Sequence, residues 1–314
     1  MPDIDFVVNI TKLRKDFKHC VAINEVGLQI ESGDVFGLIG ANGSGKTTLL
    51  KILATVLKPT SGSVQILGYD ILRKPEKIRG VIGYLPESFG IYNDLKVWEY
   101  IDFFAGAYRI PKKERMNNIN DVLELMDLES IRNLYTKDLS RGMKQRLGIA
   151  RTLIHDPILL ILDEPASGLD PKARIEIKEI IKELSNMGKT IIISSNILSD
   201  LVDICNKIGI LKNGNFIFNG FINDILSQIG IALTLEIGVQ SDVETAREIL
   251  QQQKNVGDID IKGNVIKIQY TGKREDMHNF MHNLLTELIN RKVQVSFFNE
   301  AFVDLEDVYL KLQL

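Results

Sequence analysis

"VFGLIGANGSGKTTLLKILATVL", residues 35–57, carries a strand, a glycine-rich loop and a helix in one run. Residues 35–39 are continuously apolar after the turn-forming "ESGD" at 31–34, which is the pattern of a strand covered on both faces. Leu49, Leu50, Leu53, Val56 and Leu57 fall at helical spacing, and Pro59 and Gly62 predict that a helix over 46–57 stops there. The loop between them, Gly40, Ala41, Asn42, Gly43, Ser44, Gly45, Lys46, Thr47 and Thr48, matches G-x-x-x-x-G-K-[ST]. Glycines at 40, 43 and 45 let backbone amides wrap phosphate oxygens, whose charge the start of the helix also favours. Lys46 is then the group that reaches the β and γ phosphates, and Thr47 the Mg²⁺ ligand. A dinucleotide-binding G-x-G-x-x-G fails here, because Thr48 stands where the third glycine belongs.

Working outward, "ILLIL" (158–162) and "TIIIS" (190–194) repeat the buried-strand pattern, with a helix expected from about 172 to 186 between them. Strands alternating with helices predict a parallel sheet covered on both faces, an α/β fold. The first of these strands runs into Asp163 and Glu164. Asp163 suits a Mg²⁺ water shell, and Glu164 suits the polarisation of an attacking water. From 88 to 157 helical patterns take over, which reads as a helical insert. It contains "LSRGMKQRLGIAR" (139–151), a helix start carrying Arg141, Lys144, Arg146 and Arg151 that suits an anion.

Asn213-Gly214 in "GILKNGNFIFNG" predicts a hairpin turn. Beyond about residue 231 the order becomes strand, helix, two strands, helix, strand, a small α+β sandwich of ferredoxin-like type. Ser241 and Glu244 are spaced as a capping box for its first helix, and Gly263-Asn264 as a hairpin turn. A first domain over 1–225 and a second over 230–314 are expected. His278 and His282 lie four apart on a helix, but no acid or third ligand accompanies them, so an exposed face is the expectation.

At 314 residues two domains fit better than one, since single cores stop growing near about 250 residues. Hydrophobic residues at 45% and charged residues at 25% describe an ordinary globular chain. A net charge of −3 argues against a nucleic-acid partner. Two cysteines, Cys20 and Cys205, are too few for a disulfide framework and fit a reduced, cytoplasmic setting. The opening "MPDIDFVVNI" lacks a basic segment followed by a long apolar run, so no signal peptide is expected; the longest purely apolar run, five residues, cannot cross a membrane, so a membrane role is expected to come through a partner.

Taken in order, Phe17, "GANGSGKTT", "GYLPE" (83–87), "LSRGMKQR", "LILDEP" and "SGLD" (167–170) resemble the ATP-binding cassette (ABC) ATPases over roughly residues 5–220. The likeness implies a P-loop ABC ATPase domain with a helical subdomain, binding ATP and Mg²⁺. It implies a head-to-tail dimer in which Ser140, Arg141, Gly142 and Met143 of one chain face the γ-phosphate held by another, with Ser167, Gly168, Leu169 and Asp170 at the dimer contact. One P-loop per chain then calls for a second chain, the same or a related one. Phe17, 29 residues before Lys46, becomes a surface for adenine.

Four positions depart from the family pattern. Arg141 and Met143 stand inside a signature that is usually L-S-G-G-Q, Glu87 replaces a glutamine that senses Mg²⁺, and Asn196 replaces the switch histidine. Asparagine can donate a hydrogen bond to a phosphate but cannot carry a proton, so slower hydrolysis is expected. "YLPE", "MKQR" and the ending "LEDVYLKL" (305–312) are similar to ATP-binding subunits of ABC-2 type exporters. That placement implies a peripheral protein that energises export through separate membrane permeases. The rival readings are a gating subunit deficient in hydrolysis, and a non-transport ABC ATPase.

Overall fold

The computed structural model describes residues 6–222, 224, 233–272 and 276–300. The chain divides into two compact units, Met1–Ile222 and Asn223–Leu314. The expected domain ends at 225 and 230 and the "LEDVYLKL" segment lie outside the described residues.

The first unit opens with β1 (Val8–Phe17) and β2 (Cys20–Ile30), an antiparallel pair, followed by β3 (Val35–Ile39) and α1 (Lys46–Leu53). β4 (Ser61–Ile66) and β5 (Tyr69–Asp70) return to the first pair and complete an antiparallel sheet in the order β2-β1-β4-β5. Nothing in the apolar pattern anticipated this sheet. The register of β1 against β2 shifts between Ile10 and Lys15, and Lys12 and Glu25 take positive φ, so bulges break the period of two. α1 also ends four residues sooner than its apolar spacing implies. Ala54 caps it and Thr55 takes φ 59°, a left-handed turn that ends the helix before Val56.

After the short helix α2 (Pro75–Arg79) and β6 (Ile82–Leu85) come three helices, α3 (Val97–Ala107), α4 (Lys112–Leu125) and α5 (Arg141–Leu153). The chain then re-enters the sheet as β7 (Leu159–Leu162), α6 (Pro171–Asn186), β8 (Thr190–Ser195), β9 (Lys207–Lys212) and β10 (Asn215–Phe221). The second sheet has the order β10-β9-β3-β8-β7-β6, parallel except for the β9–β10 hairpin. Asn213 and Gly214 both take positive φ in that hairpin, as its turn requires. β3, β7 and β8 are buried along their whole length, which explains their unbroken apolar runs. Leu49, Leu50, Ile52 and Leu53 of α1 are completely or almost completely buried against both sheets, each worth about 2 kcal/mol of hydrophobic transfer. This packing fixes the helix that presents Lys46.

The second unit runs β11 (Leu233–Val239), α7 (Val243–Gln251), β12 (Val256–Lys262), β13 (Val265–Tyr270), α8 (Met277–Asn290) and β14 (Val295–Glu300). Its antiparallel sheet has the order β12-β13-β11-β14, with a core built from Leu235, Ile237, Ile266, Ile268, Leu250 and Leu284. This is the ferredoxin-like arrangement. The capping box expected at Ser241 does not form. Asp242 precedes α7 with φ 63° and no side-chain cap, so the helix starts one residue beyond the spacing the box needs. His278 and His282 are exposed on α8.

Candidate functional site

In the parallel register Ile39 lies beside Ser195, Ile193 beside Leu162, and Leu162 beside Leu85. The four strands therefore finish nearly level. The segments carrying Gly40–Thr48, Asn196, Asp163–Glu164 and Glu87 all leave from the same carboxyl edge, where open α/β sheets bind ligands.

The loop after β3 is shaped by its glycines. Gly43 takes φ 81° and Gly45 φ 113°, and a side chain on Gly45 would meet the Ala22 carbonyl at 2.5 Å. Gly45 caps α1 without any side-chain acceptor, which leaves the first amides of the helix open to an anion. Lys46 is only 6% exposed, and its Nζ donates to the Gly40 carbonyl at 2.7 Å and the Ala41 carbonyl at 3.4 Å. The same ammonium stands 3.4 Å from Glu164 Oε1. A buried cation is thus already aimed at the loop that would hold phosphates. Phe17 is 45% exposed at the end of β1, with the Lys15 ammonium 5.0 Å from its ring centre. It pairs with Cys20, two residues from Ala22, so the hairpin tip lies beside the glycine loop.

Asp163 is completely buried. The Ser194 hydroxyl donates to its Oδ1 at 2.7 Å and accepts the Glu164 N–H at 2.8 Å, so one buried hydroxyl holds both acids. Asp163 Oδ2 has no hydrogen-bond partner among the described residues. Glu164 adopts φ 51°, a left-handed conformation that costs a non-glycine residue about 1 kcal/mol or more. Burial pushes its carboxyl above the ordinary value of 4.5, opposed by the Lys46 ammonium, raised further by Asp163, and lowered by the Asn196 backbone N–H that donates to it. Glu164, Ser167, Gly168 and Asn196 line one cavity of about 140 Å³. Glu87 is exposed just beyond β6.

Ser140 caps α5, its Oγ accepting the Met143 N–H at 3.3 Å. Arg141 reaches across to the Ser167 carbonyl at 3.3 Å and lies over Gly168, which takes φ 66°. Gly142 packs on α6, where an added side chain would meet Ala173 at 3.0 Å. Leu169 is buried, and Asp170 caps α6 by accepting the Ala173 N–H at 3.0 Å. The cations of this stretch do not act together. Arg146 pairs with Asp127 at 3.1 Å, Arg151 donates to the Tyr100 hydroxyl at 3.0 Å between Phe89 and Phe104, and Lys144 donates to the Lys137 carbonyl. Helical periodicity turns these three away from the start of α5, so the anion-facing part shrinks to its cap. Ser194 was missed in the sequence. It stands two residues before Asn196, but its link to Asp163 depends on β7 and β8 being neighbours, which no local pattern reveals.

A strand, a glycine loop and a helix presenting a buried lysine, with two acids at the end of another strand of the same sheet, define a P-loop nucleotide-binding protein. Residues 23–167 match the ABC transporter family. An uncharacterised ABC transporter ATP-binding protein, YxlF of Bacillus subtilis, is 31% identical over 98% of this chain and 99% of its own length. The chain belongs to the ATP-binding proteins of the ABC transporter family. It is also similar to the Nod factor export ATP-binding protein I of Cupriavidus pinatubonensis, at 34% identity over 77% of this chain and 75% of that protein. Among solved structures it resembles the dimeric post-hydrolysis state of an ATP-binding cassette bound to ADP and Pi, with a TM-score of 0.63 and 28% identity over 68% of this chain and 98% of that one.

Proposed function

We propose that this chain binds and hydrolyses ATP as a dimer and drives export through separate membrane permeases. The observation that carries the reading is the buried Lys46–Glu164 pair beside Asp163, which Ser194 holds in place. Backbone amides of Gly40–Thr48 wrap the phosphates, Lys46 neutralises the β and γ oxygens, and Phe17 offers its exposed face to the base. Glu164, with its carboxyl raised by burial, accepts the proton of the attacking water. Across the dimer, Ser140, Gly142 and the start of α5 close over the γ-phosphate held by the other chain, while Ser167–Asp170 meets the partner.

The donor set suits Mg²⁺. Asp163 Oδ2 is a buried carboxylate oxygen without a partner among the described residues, the kind of ligand a hard cation takes. Thr47, Asp163 and Glu87 would hold the ion. Bound there, it neutralises charge on the transferring phosphoryl group.

No helix among the described residues is long and apolar enough to cross a membrane, so the movement of a transported molecule is assigned to partner subunits. The resemblance to a Nod factor export protein supports export as the direction. Asn196 favours a second reading, a nucleotide gate with little turnover, since its amide cannot take up a proton as a histidine can. Purification from detergent-solubilised membranes tests the main reading. Recovery of a multi-spanning membrane protein together with ATPase activity is expected. Recovery with ribosomes or nucleic acid would overturn it, and equal, low ATPase rates in the wild type and Glu164→Gln would favour the gate.

A further inference from the structure

Among the described residues, three buried polar atoms at the carboxyl edge lack a hydrogen-bond partner: Ser44 Oγ, Tyr84 OH and Asp163 Oδ2. Ser44 belongs to the phosphate loop and Asp163 to the proposed cation site. Tyr84 belongs to neither, yet its place in the sheet points to the same spot.

Tyr84 lies beside Ile161 in the parallel pairing of β6 with β7. Paired residues and residues two apart share a face of a sheet, so Tyr84, Ile161 and Asp163 project the same way. Gly83 faces the opposite way, toward the Thr152 carbonyl of α5. The Tyr84 ring packs on the core that contains Ile161 together with Leu49 and Leu50 of α1, the helix that begins with Lys46 and Thr47. Asp163 accepts through Oδ1 from Ser194 on β8, Oδ2 has no partner among the described residues, and Tyr84 stands on β6, the strand on the other side of β7. Burial and the nearby Asp163 charge push the phenol upward, so it remains a donor throughout the ordinary pH range. A buried hydroxyl and a buried carboxylate oxygen, both unpaired on one face, mark a site completed by a bound species.

We propose that Tyr84 is a positioning residue for the divalent cation, its hydroxyl donating into the ligand sphere anchored by Asp163 Oδ2. The inference rests on the assignment of Asp163 as a cation ligand. Tyr84→Phe keeps the ring packing and removes only the donor. The test is a titration of the full chain, saturated with ADP, with Mn²⁺ followed by electron paramagnetic resonance, alongside ADP binding in EDTA. The expected result is an Mn²⁺ dissociation constant raised about fivefold or more in Tyr84→Phe, with metal-free ADP affinity within about twofold of wild type. Unchanged Mn²⁺ affinity in Tyr84→Phe, with Asp163→Asn clearly weakened, would overturn the role of Tyr84 alone. An equal loss of ADP affinity in EDTA would do the same, since it would mark a merely structural residue. Unchanged Mn²⁺ affinity in Asp163→Asn would remove the cation assignment, and the inference with it.

Discussion

Replacing Ser194 by alanine removes one oxygen and leaves two buried groups in difficulty. The Asp163 carboxylate loses the one hydrogen bond it makes among the described residues, a charge-assisted contact of 2.7 Å worth about 1.5–3 kcal/mol. The Glu164 N–H loses an acceptor at 2.8 Å, and an orphaned buried donor costs about 1–3 kcal/mol. Because Ser194 is fully buried, solvent cannot easily take its place. The two losses share one atom and do not simply add, so a destabilisation of about 3 kcal/mol is expected. In a unit of this size that lowers the melting temperature by roughly 6–12 °C. Trp98, the only tryptophan, lies in α3 of the first unit, so its fluorescence reports the melting of that unit. Ser195→Ala is the control, since among the described residues the Ser195 hydroxyl accepts only the Ile197 N–H, whose loss is worth about 1 kcal/mol. ATP turnover by Ser194→Ala is expected to fall at least about tenfold, because both acids lose their placement. Melting within about 2 °C of wild type, together with unchanged turnover, would refute the view that this hydroxyl organises the acids.

Asn196→His restores a group able to carry a proton beside Glu164, and steady-state ATPase assays are expected to show faster turnover; an unchanged rate counts against a switch role for the position. The raised carboxyl of Glu164 places the acidic limb of the turnover–pH profile above that of an ordinary glutamate, and a limb at the ordinary value of 4.5 contradicts its burial. The same shift has a stability sign. Between the ordinary and the raised value the native state keeps a proton that the unfolded chain has lost, so stability falls as pH rises through that window. Melting curves of Glu164→Gln are expected to lack this component, while Lys46 keeps its bonds to the Gly40 and Ala41 carbonyls.

What could be read from the sequence depended on how local its cause was. β3, β7 and β8 were legible because both faces are covered, and the glycine loop because Gly43 and Gly45 need backbone angles that few residues accept. The ferredoxin-like order was legible from hydrophobic period together with the Gly263-Asn264 turn. The antiparallel sheet was not, since bulges near Lys12 and Glu25 interrupt the alternation of β1 and β2. Arg146 and Arg151 looked like anion ligands beside Ser140, but a helix spreads neighbours around its axis, and they ended on Asp127, in the turn after α4, and on Tyr100 of α3. Ser194 and Tyr84 stayed hidden for another reason. Each sits on a strand adjacent to the one that ends at Asp163, and strand adjacency in a parallel sheet is set by tertiary packing rather than by any neighbouring residue.

The most direct measurement is the mass in solution of Glu164→Gln by sedimentation velocity, with and without MgATP. A lysine-held nucleotide that is completed by a second chain's Ser140 requires a dimer with ATP and a monomer without it. A chain that binds ATP yet stays monomeric, both alone and with its membrane partner, would contradict the shared site.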